Sequence, residues 1–381
     1  MVPARELEKK GHKILKINIG DPNKYDFDTP KHIKDALYRA SLDGHNGYSP
    51  SEGEIELRNA IINREKIRNK VDYSSDDICI TTGVTEALQI LLNASLDPQD
   101  ELLIPGPTYP QYSLITRFDD AEPVSYRCVE EDNWQPDVDD IRKKVTKKTK
   151  GIVIINPNNP TGALYSKKVI KEIVDIAGEH NIPIISDEIY DDMVFDEKQT
   201  ATATIAKDVP VITFNGFSKV YLMPGWRMGY VLFHHDGALN EIQDAFMRIA
   251  RSRLCANSVC QFACVAALKG TQDHIKEVND KLRKRRDFSY KRLNEIEGIS
   301  TAKPQGAFYI FPKIEAINSG IWKDDKEFVL DFLRSKHVLV VHGSGFSETY
   351  GKNHFRAVIL PKIEVLGEAF DKLEEFLKER I

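Results

Sequence analysis

The sequence predicts an α/β protein built on a mostly parallel sheet. Short β-rich runs that are almost continuously apolar alternate with segments of helical periodicity through the middle of the chain. Strands covered on both faces have this apolar character, and strand–helix–strand alternation favours parallel pairing with right-handed crossovers. The five predicted strands are Glu101–Ile104, Gly151–Ile155, Pro183–Ser186, Pro210–Phe214 and Met228–Phe233.

A helix is predicted between the second and third of these strands. Its apolar residues recur at the spacing of one helix face, and Ser166 stands where an N-cap is expected. The apolar residues are Val169, Ile170, Ile173, Val174 and Ala177. Ligands of such sheets bind at the carboxyl ends of the strands, so the residues after each strand are candidates for the functional site.

The character of the sequence changes in its last quarter. A charged segment, Ile275–Arg292, has helical periodicity, and a final helix is predicted over Ile363–Arg380. Shorter strands are predicted around Ala307–Phe311 and Val338–Val341. These elements predict a smaller α+β unit, which the N-terminal segment is expected to join.

The composition is that of an ordinary globular chain. The 381 residues include 53 Lys and Arg against 58 Asp and Glu, a net charge of −5, and 41% are hydrophobic. These values exclude a mainly disordered chain, a collagen-like repeat and a small disulfide scaffold, and the slight acidity argues against a general nucleic-acid binder. The basic runs Arg142–Lys150 and Lys281–Arg286 are expected to be solvated helix faces or turns.

Cysteine use and hydropathy favour a reducing cytoplasm. The five cysteines include no CxxC pair, and we expect Cys260 and Cys264, which would share a helix face, to be buried rather than to bind a metal. No apolar run approaches the ~18 residues of a membrane span, and the charged N-terminus lacks the apolar region of a secretory signal. We therefore expect a cytoplasmic protein with no metal, nucleic-acid or membrane partner.

Distinctive motifs follow the predicted strands. Taken singly, an Asn-Pro-Asn-Asn-Pro run is usually a turn, and a lysine after a strand is usually a surface residue. In chain order the motifs are Thr82–Leu88, Pro105–Pro110, Asn156–Gly162, Asp187–Tyr190 and Asn215–Lys219, with Arg227 just before the fifth strand. Together, at these spacings, they resemble the class I aminotransferases, pyridoxal-phosphate enzymes of the aspartate aminotransferase fold (fold type I). The resemblance covers essentially the whole chain.

The resemblance implies a fold, a cofactor and an assembly. The implied fold is a mostly parallel seven-stranded sheet flanked by helices. Residues 30–275 would form a large cofactor-binding domain, and residues 1–29 and 276–381 the smaller α+β domain. The implied cofactor is pyridoxal 5′-phosphate (PLP), and the implied assembly is a homodimer. Relatives usually have a further stretch before the helix that Val2 begins, so we expect this chain to start within that helix.

The same resemblance implies the residues around the cofactor ring. Lys219 would form the Schiff base with PLP and carry the proton between the substrate α-carbon and the cofactor. Asp187 would keep the pyridine nitrogen protonated, since an adjacent negative charge raises its pKa. Tyr190 and Asn159 would hydrogen-bond the 3′ oxygen, and Tyr109 would lie against the ring face. Lys219, Asp187 and Tyr190 are the expected catalytic residues.

The cofactor phosphate is expected at a helix N-terminus beside a cation. The Gly83-Val84-Thr85 turn would offer backbone N–H groups and the Thr85 hydroxyl. Arg227 would supply the cation, with Ser218 beside it. Many relatives carry a serine three residues before the lysine, where this chain has Gly216. One hydroxyl group is therefore expected to be missing from the phosphate site.

The substrate and the partner subunit account for the remaining implied residues. Arg356 matches the arginine that clasps the α-carboxylate of amino-acid substrates, and Asn159 and the backbone near Gly20 would complete the clasp. Tyr48 matches a tyrosine that reaches the phosphate from the neighbouring subunit. The segment Gly306–Tyr309 resembles the small-domain strand of the family.

The resemblance also narrows the reaction. Gly151–Ala163, Ile212–Gly216 and Arg253–Asn257 resemble the alanine aminotransferase branch. They imply that L-alanine and 2-oxoglutarate exchange with pyruvate and L-glutamate by a ping-pong route. The alternatives are an aspartate or aromatic aminotransferase, a PLP-dependent β-lyase, and a ligand-binding module without catalysis. The presence of Lys219 argues against the last of these.

Two conformational features are expected as well. The Asn159–Pro160 bond is predicted to be cis, which would turn the chain sharply at the cofactor. The smaller domain is expected to move inward over bound substrate and exclude water.

Overall fold

The predicted alternation of strands and helices forms a central eight-stranded sheet. The computed structural model describes residues 2–381. Six of the eight strands point the same way, whereas Gly229–His234 and Gln135–Pro136 are antiparallel to their neighbours. The order across the sheet is Ile78–Thr81, Gly229–His234, Val211–Gly216, Ile184–Asp187, Thr149–Ile155, Glu101–Gly106, Glu122–Val129 and Gln135–Pro136.

This sheet confirms the α/β class and corrects one detail. All five strands predicted from apolar runs are present, with bounds displaced by at most two residues. The resemblance implied seven strands, and the eighth is the two-residue strand Gln135–Pro136, which pairs with Cys128 and Val129 at one edge. So short a strand has too few side chains to produce a detectable period of two.

Residues 2–381 also form thirteen α-helices. In the helix after Thr149–Ile155, the Ser166 hydroxyl accepts a hydrogen bond from the N–H of Val169, so Ser166 is the N-cap as predicted. The helices are Val2–Lys9, Lys31–Leu42, Ile55–Arg68, Val84–Ser95, Pro110–Phe118, Val138–Lys144, Lys167–His180, Thr202–Ile205, Asn240–Ser252, Ser258–Lys269, Asp273–Asn294, Asp325–Lys336 and Ile363–Arg380.

Short strands organise the C-terminal part of the chain. Tyr309–Ile310, Phe355–Val358 and Val341–His342 form an antiparallel sheet in which Phe355–Val358 is central. The N-terminal segment joins this part through parallel pairing of Leu15–Lys16 with Val338–Leu339. The predicted division at residues 29/30 and 275/276 stays a prediction.

One of the two basic runs, on the helix Asp273–Asn294, is solvated only in part. Within Lys281–Arg286, the side chains of Arg285 and Arg286 are 7% and 1% exposed. Arg285 pairs with Asp26 at 2.7 Å and Arg286 with Asp196 at 2.9 Å. The expectation was wrong because these acidic partners lie far away in sequence, and a run of like charges does not reveal them. Ion pairing makes such burial tolerable.

Other expectations about surface and core hold. Arg142–Lys150 is mostly exposed. Cys260 and Cys264 are buried on the helix Ser258–Lys269, and the five cysteines are free thiols. Among the helices of residues 2–381, none has the length and apolar character needed to cross a membrane.

Candidate active site

A cavity of about 470 Å³ opens at the carboxyl ends of the parallel strands, where ligands of α/β sheets bind. Most residues singled out from the sequence line it. They are Gly20, Val84, Thr85, Tyr109, Asn159, Asp187, Tyr190, Ser218, Lys219, Arg227 and Arg356. These residues come from segments up to 336 positions apart (356 − 20), so the fold gathers them at one place.

Two predicted residues are not part of the cavity lining. Gly83 lies just behind it, as the N-cap of the helix Val84–Ser95, with a φ of +76°. This positive φ favours glycine, and a Cβ on Gly83 would also be 2.5 Å from Arg227 Nη2, so the arginine would have to move away from the helix start. Tyr48 is 83% exposed and does not line the cavity of its own subunit.

Lys219 projects into the cavity from the loop after Val211–Gly216. Its Nζ donates a 2.9 Å hydrogen bond to the carbonyl of Gly20 and lies 5.4 Å from the centre of the Phe308 ring. A primary amine that lines a cavity is accessible to a carbonyl group.

The backbone packed around Gly216 explains why this chain lacks the serine that many relatives carry at this position. A Cβ at this position would lie 2.8 Å from the carbonyl oxygen of Met228 and 2.9 Å from Cα of Gly229, which faces Gly216 across the sheet. Backbone atoms cannot yield as a flexible side chain can, so no side chain fits at Gly216. The neighbouring hydroxyl of Ser218 is present at the cavity.

Asp187 is a buried carboxylate at the back of the cavity. Tyr112 donates a hydrogen bond to its Oδ2 at 2.9 Å, and the N–H of Ile189 donates to Oδ1 at 3.3 Å. Burial raises the pKa of Asp187 from 3.8 to about 6, although the hydrogen bond from Tyr112 opposes the shift. A cation placed against this carboxylate would keep it charged at neutral pH.

Two phenols and an amide line the same cavity as this carboxylate. The hydroxyl groups of Tyr190 and Tyr309 are 2.9 Å apart. Burial raises the pKa of Tyr190 well above 10, so Tyr190 stays protonated and can donate a hydrogen bond. Asn159 precedes Pro160 through a cis peptide bond, as predicted.

Arg356 is a buried guanidinium that also lines the cavity. Its Nη1 donates to Oδ1 of Asn159 at 2.9 Å, and its Nη2 donates to the carbonyl of Asn18 at 2.8 Å. Burial lowers its pKa from 12.5, and its Nε has no hydrogen-bond partner within residues 2–381. A buried cation with an unused donor is suited to binding an anion such as a carboxylate.

The charges are arranged for a small molecule with distinct ends. Arg227 and the start of the helix Val84–Ser95 form an anion site, Asp187 forms a cation site, and Lys219 offers an amine. These groups fit PLP, which has a phosphate, a basic ring nitrogen and an aldehyde. In residues 2–381 no group of three or more His, Cys, Asp and Glu side chains could hold a metal ion.

Comparison with known proteins decides the family. The sequence model of the family described as aminotransferase class I and II matches residues 15–373. The chain belongs to this family. Class I and II aminotransferases use PLP to move amino groups, so the cofactor that the cavity suits is the cofactor of the family.

Individual aminotransferases resemble the chain over nearly its full length. Alanine aminotransferase from Pyrococcus furiosus is 58% identical with a TM-score of 0.97, covering 100% of this chain and 96% of that chain. Glutamate-pyruvate aminotransferase AlaA of Escherichia coli is 40% identical, covering 98% of this chain and 93% of its own length. An aromatic aminotransferase from Pyrococcus horikoshii is 33% identical with a TM-score of 0.89, covering 99% of each chain.

Sequence reasoning missed two tyrosines of this site. Tyr112 lies on the helix Pro110–Phe118, three positions after Tyr109, which caps this helix. Residues three apart on a helix lie on the same face, so this spacing could have predicted that Tyr112 also reaches the site. Tyr309 was assigned only to a small-domain strand. Its contact with Tyr190 joins positions 119 apart, and no local pattern predicts such a contact.

Proposed function

We propose that the protein is an alanine aminotransferase that transfers the amino group of L-alanine to 2-oxoglutarate, giving pyruvate and L-glutamate by a ping-pong route. The observation that carries this substrate choice is full-length similarity to proteins named alanine aminotransferase and glutamate-pyruvate aminotransferase, at 58% and 40% identity. The cavity supports it, because it offers one buried guanidinium to a carboxylate close to a lysine.

In this proposal Lys219 holds the cofactor and moves the proton. PLP, when bound, supplies an electron sink for the pair left at the substrate α-carbon. Once the substrate amine has replaced it on the cofactor, Lys219 Nζ would take the proton from that α-carbon and deliver a proton to the cofactor carbon that receives the amino group. The carbonyl of Gly20, 2.9 Å from Nζ, orients the amine before substrate binds.

The groups around Lys219 hold the ring and its charges. Asp187 stays ionised against the protonated ring nitrogen, and Tyr112 fixes the orientation of that carboxylate. Tyr190 and Asn159 would donate hydrogen bonds to the ring oxygen of the cofactor, and Tyr109 would lie against the ring face.

The phosphate is proposed to bind between a helix end and a cation. Gly83-Val84-Thr85 supplies backbone N–H groups at the start of a helix, and Thr85 and Ser218 add hydroxyl donors. Arg227 supplies the positive charge. Gly229 makes this close packing feasible, since a Cβ there would lie 2.7 Å from the backbone carbon of Gly83.

Arg356 is proposed to bind the substrate α-carboxylate. Asn159 holds Nη1 of this arginine, so the amide positions both the cofactor and the substrate. With the carboxylate fixed at Arg356 and the backbone of Gly20 beside it, the Cα–H bond can stand perpendicular to the cofactor plane and face Lys219.

We further propose a cytoplasmic homodimer in which Tyr48 reaches the phosphate of the neighbouring subunit. The exposure of Tyr48 leaves its hydroxyl free for a partner. Five free thiols are compatible with a reducing compartment.

The choice of amino donor is tested by single-turnover conversion of the PLP-loaded enzyme. L-alanine, L-aspartate and L-phenylalanine are added separately, and loss of the cofactor's visible band is followed. We expect L-alanine to react fastest, and faster conversion by L-aspartate or L-phenylalanine would overturn the alanine assignment. Release of pyruvate and ammonia from a β-substituted donor, without 2-oxoglutarate, would favour the lyase alternative.

The role of Lys219 is tested by Lys219→Ala. We expect this variant to lose turnover and the visible absorption of the lysine-linked cofactor. Lys168→Ala is the matched control, because Lys168 is an 85% exposed lysine of a surface helix. Full activity of Lys219→Ala would contradict the mechanism.

A further inference from the structure

Tyr309 lies where the substrate side and the cofactor side of the cavity meet. It begins the strand Tyr309–Ile310, lines the cavity and is 3% exposed. Its hydroxyl contacts Tyr190, and its ring contacts Arg356. One side chain therefore touches both of the groups that are proposed to bind the reactants.

The ring of Tyr309 packs against the guanidinium of Arg356. The distance from the guanidinium carbon to the ring centre is 4.6 Å, and Phe346 lies on the arginine at 4.7 Å. Both rings attract the cation through their π faces and limit rotation of its plane. A carboxylate that binds two donors of one guanidinium needs that plane to be fixed.

The hydroxyl of Tyr309 is held against Gly20 and Tyr190. A Cβ on Gly20 would lie 2.3 Å from this oxygen, so glycine is needed for the hydroxyl to reach its place. Within residues 2–381 its one hydrogen-bond partner is Tyr190, at 2.9 Å. If Tyr309 donates this bond, the Tyr190 proton can point towards a ligand oxygen, and the donation strengthens Tyr190 as a donor.

We propose that Tyr309 is a positioning residue for amino transfer: its ring fixes the plane of Arg356 for the substrate carboxylate, and its hydroxyl directs the Tyr190 proton to the ring oxygen of the cofactor. The proposal rests on the proposed roles of Arg356 and Tyr190. The ring and the hydroxyl of Tyr309 thus have separate functions, and each can be removed by its own substitution.

Three variants divide the two functions. Tyr309→Phe removes the hydroxyl and keeps the ring, Phe346→Leu removes the opposite ring and keeps the hydroxyl, and Tyr309→Leu removes both. Tyr126→Phe is the matched control, because Tyr126 is a fully buried tyrosine outside the cavity lining whose hydroxyl donates to the carbonyl of Val153 at 2.7 Å.

Two measurements on the PLP-loaded enzyme report the two functions without turnover. The first is the pH midpoint at which the absorption of the bound cofactor changes. The second is the dissociation constant of 2-methylalanine, which carries an α-carboxylate but no α-hydrogen and so cannot complete the reaction. The KM and kcat for L-alanine accompany them.

We expect Tyr309→Phe to raise the absorption midpoint by about half a pH unit. A hydrogen bond from Tyr190 stabilises the anionic form of the cofactor ring oxygen, and loss of the Tyr309 hydroxyl weakens Tyr190 as the donor of that bond. The dissociation constant of Tyr309→Phe for 2-methylalanine should stay within about twofold of the wild type. Phe346→Leu should raise the dissociation constant and the KM for L-alanine about threefold or more and leave the midpoint unchanged. Tyr309→Leu should show both effects, and Tyr126→Phe neither.

An unchanged midpoint in Tyr309→Phe would overturn the hydroxyl function, and unchanged binding of 2-methylalanine in Tyr309→Leu would overturn the ring function. Equal effects in Tyr126→Phe would overturn both, since they would then report general loosening of the fold. Failure of the proposed amino transfer appears separately, as turnover that survives Lys219→Ala.

Discussion

At the scale of single residues, Asp187 combines a cost to folding with a task in the cavity. Burial raises its pKa to about 6 from an ordinary value of 3.8. Between these pH values the folded chain binds more protons than the unfolded chain, so this residue makes the free energy of unfolding fall as the pH rises. The cofactor ring nitrogen would supply the missing positive charge.

Asp187→Asn should therefore stabilise the protein without PLP and abolish amino transfer. We expect the free energy of unfolding to exceed that of the wild type by at most about 3 kcal/mol above pH 6, and the difference to vanish below about pH 4. Urea unfolding across this pH range measures it. The exposed Asp43 provides the control variant Asp43→Asn. A difference that does not depend on pH would contradict the account.

At the scale of elements, Arg253 connects three segments around the phosphate site. Its Nη2 donates to the carbonyl of Ile80 at 2.6 Å, its Nη1 to the carbonyl of Ser51 at 3.2 Å, and its Nε to Glu86 at 3.2 Å. The same Glu86 carboxylate accepts a hydrogen bond from the N–H of Thr82 at 2.6 Å. Arg253 thus ties the loop after Tyr48 to the helix start that is proposed to bind the phosphate.

Arg253→Ala should loosen this helix start. We expect the free energy of unfolding to fall by about 2 kcal/mol, because the carbonyl groups of the buried Ile80 and the partly buried Ser51 lose a charged donor. The dissociation constant of PLP, measured by fluorescence titration of the protein without cofactor, should rise about tenfold or more for the same reason. Arg248→Ala is the control, since Arg248 is 74% exposed and pairs with Asp244, one turn earlier on the same helix, Asn240–Ser252. PLP affinity equal to that of the control would refute this connection.

The elements that the sequence predicted well are those whose signal is local. The final helix has the predicted bounds, Ile363–Arg380, because its apolar period runs for many turns. The charged helix predicted over Ile275–Arg292 is longer, Asp273–Asn294. The two-residue strand Lys313–Ile314 escaped prediction because it is too short to show any period.

Contacts between distant segments could not be predicted in the same way. The strand-end motifs located the cofactor side of the cavity because parallel strands place their carboxyl ends together. Arg253 was read only as a feature of one family branch, although its partners Ile80 and Ser51 are 173 and 202 positions away. Such contacts depend on how the helices pack over the sheet, and no local pattern in a single sequence predicts that packing.

At the scale of the whole molecule, Tyr48 and several other exposed apolar side chains are candidates for a subunit interface. Tyr48 is 83% exposed, and Tyr38, Leu42 and Leu254 are 67%, 67% and 55% exposed. The loop that follows Tyr48 is anchored, because the N–H of Ser49 donates to a serine hydroxyl at the start of the helix Ser258–Lys269, at 3.0 Å. Exposed apolar side chains on anchored elements are typical of surfaces that another chain covers.

Mixed dimers test whether Tyr48 acts across that interface. Tyr48→Ala and Lys219→Ala are each expected to be nearly inactive alone. In a dimer with one subunit of each kind, one active site would combine Lys219 from the first subunit with Tyr48 from the second, and the other site would have neither. Co-expression with two affinity tags isolates the mixed dimer, which should show about half the activity of the wild-type dimer.

The activity of the mixed dimer distinguishes two arrangements, one in which Tyr48 acts in the partner's site and one in which it acts in the site of its own subunit. If Tyr48 served its own subunit, each site of the mixed dimer would lack one residue, and the activity would stay at the level of the parent variants. Tyr38→Ala, which removes another exposed tyrosine, is the control, and its mixed dimer with Lys219→Ala should also keep about half the wild-type activity because one site is intact. Suppose that the mixed dimer of Lys219→Ala with Tyr38→Ala has about half the wild-type activity, whereas the mixed dimer with Tyr48→Ala stays nearly inactive. This result would place Tyr48 in its own subunit's site and reject the shared active site. About half the wild-type activity in both mixed dimers would mean that two subunits build one phosphate site. Dissociation of the dimer would then weaken cofactor binding as well as catalysis.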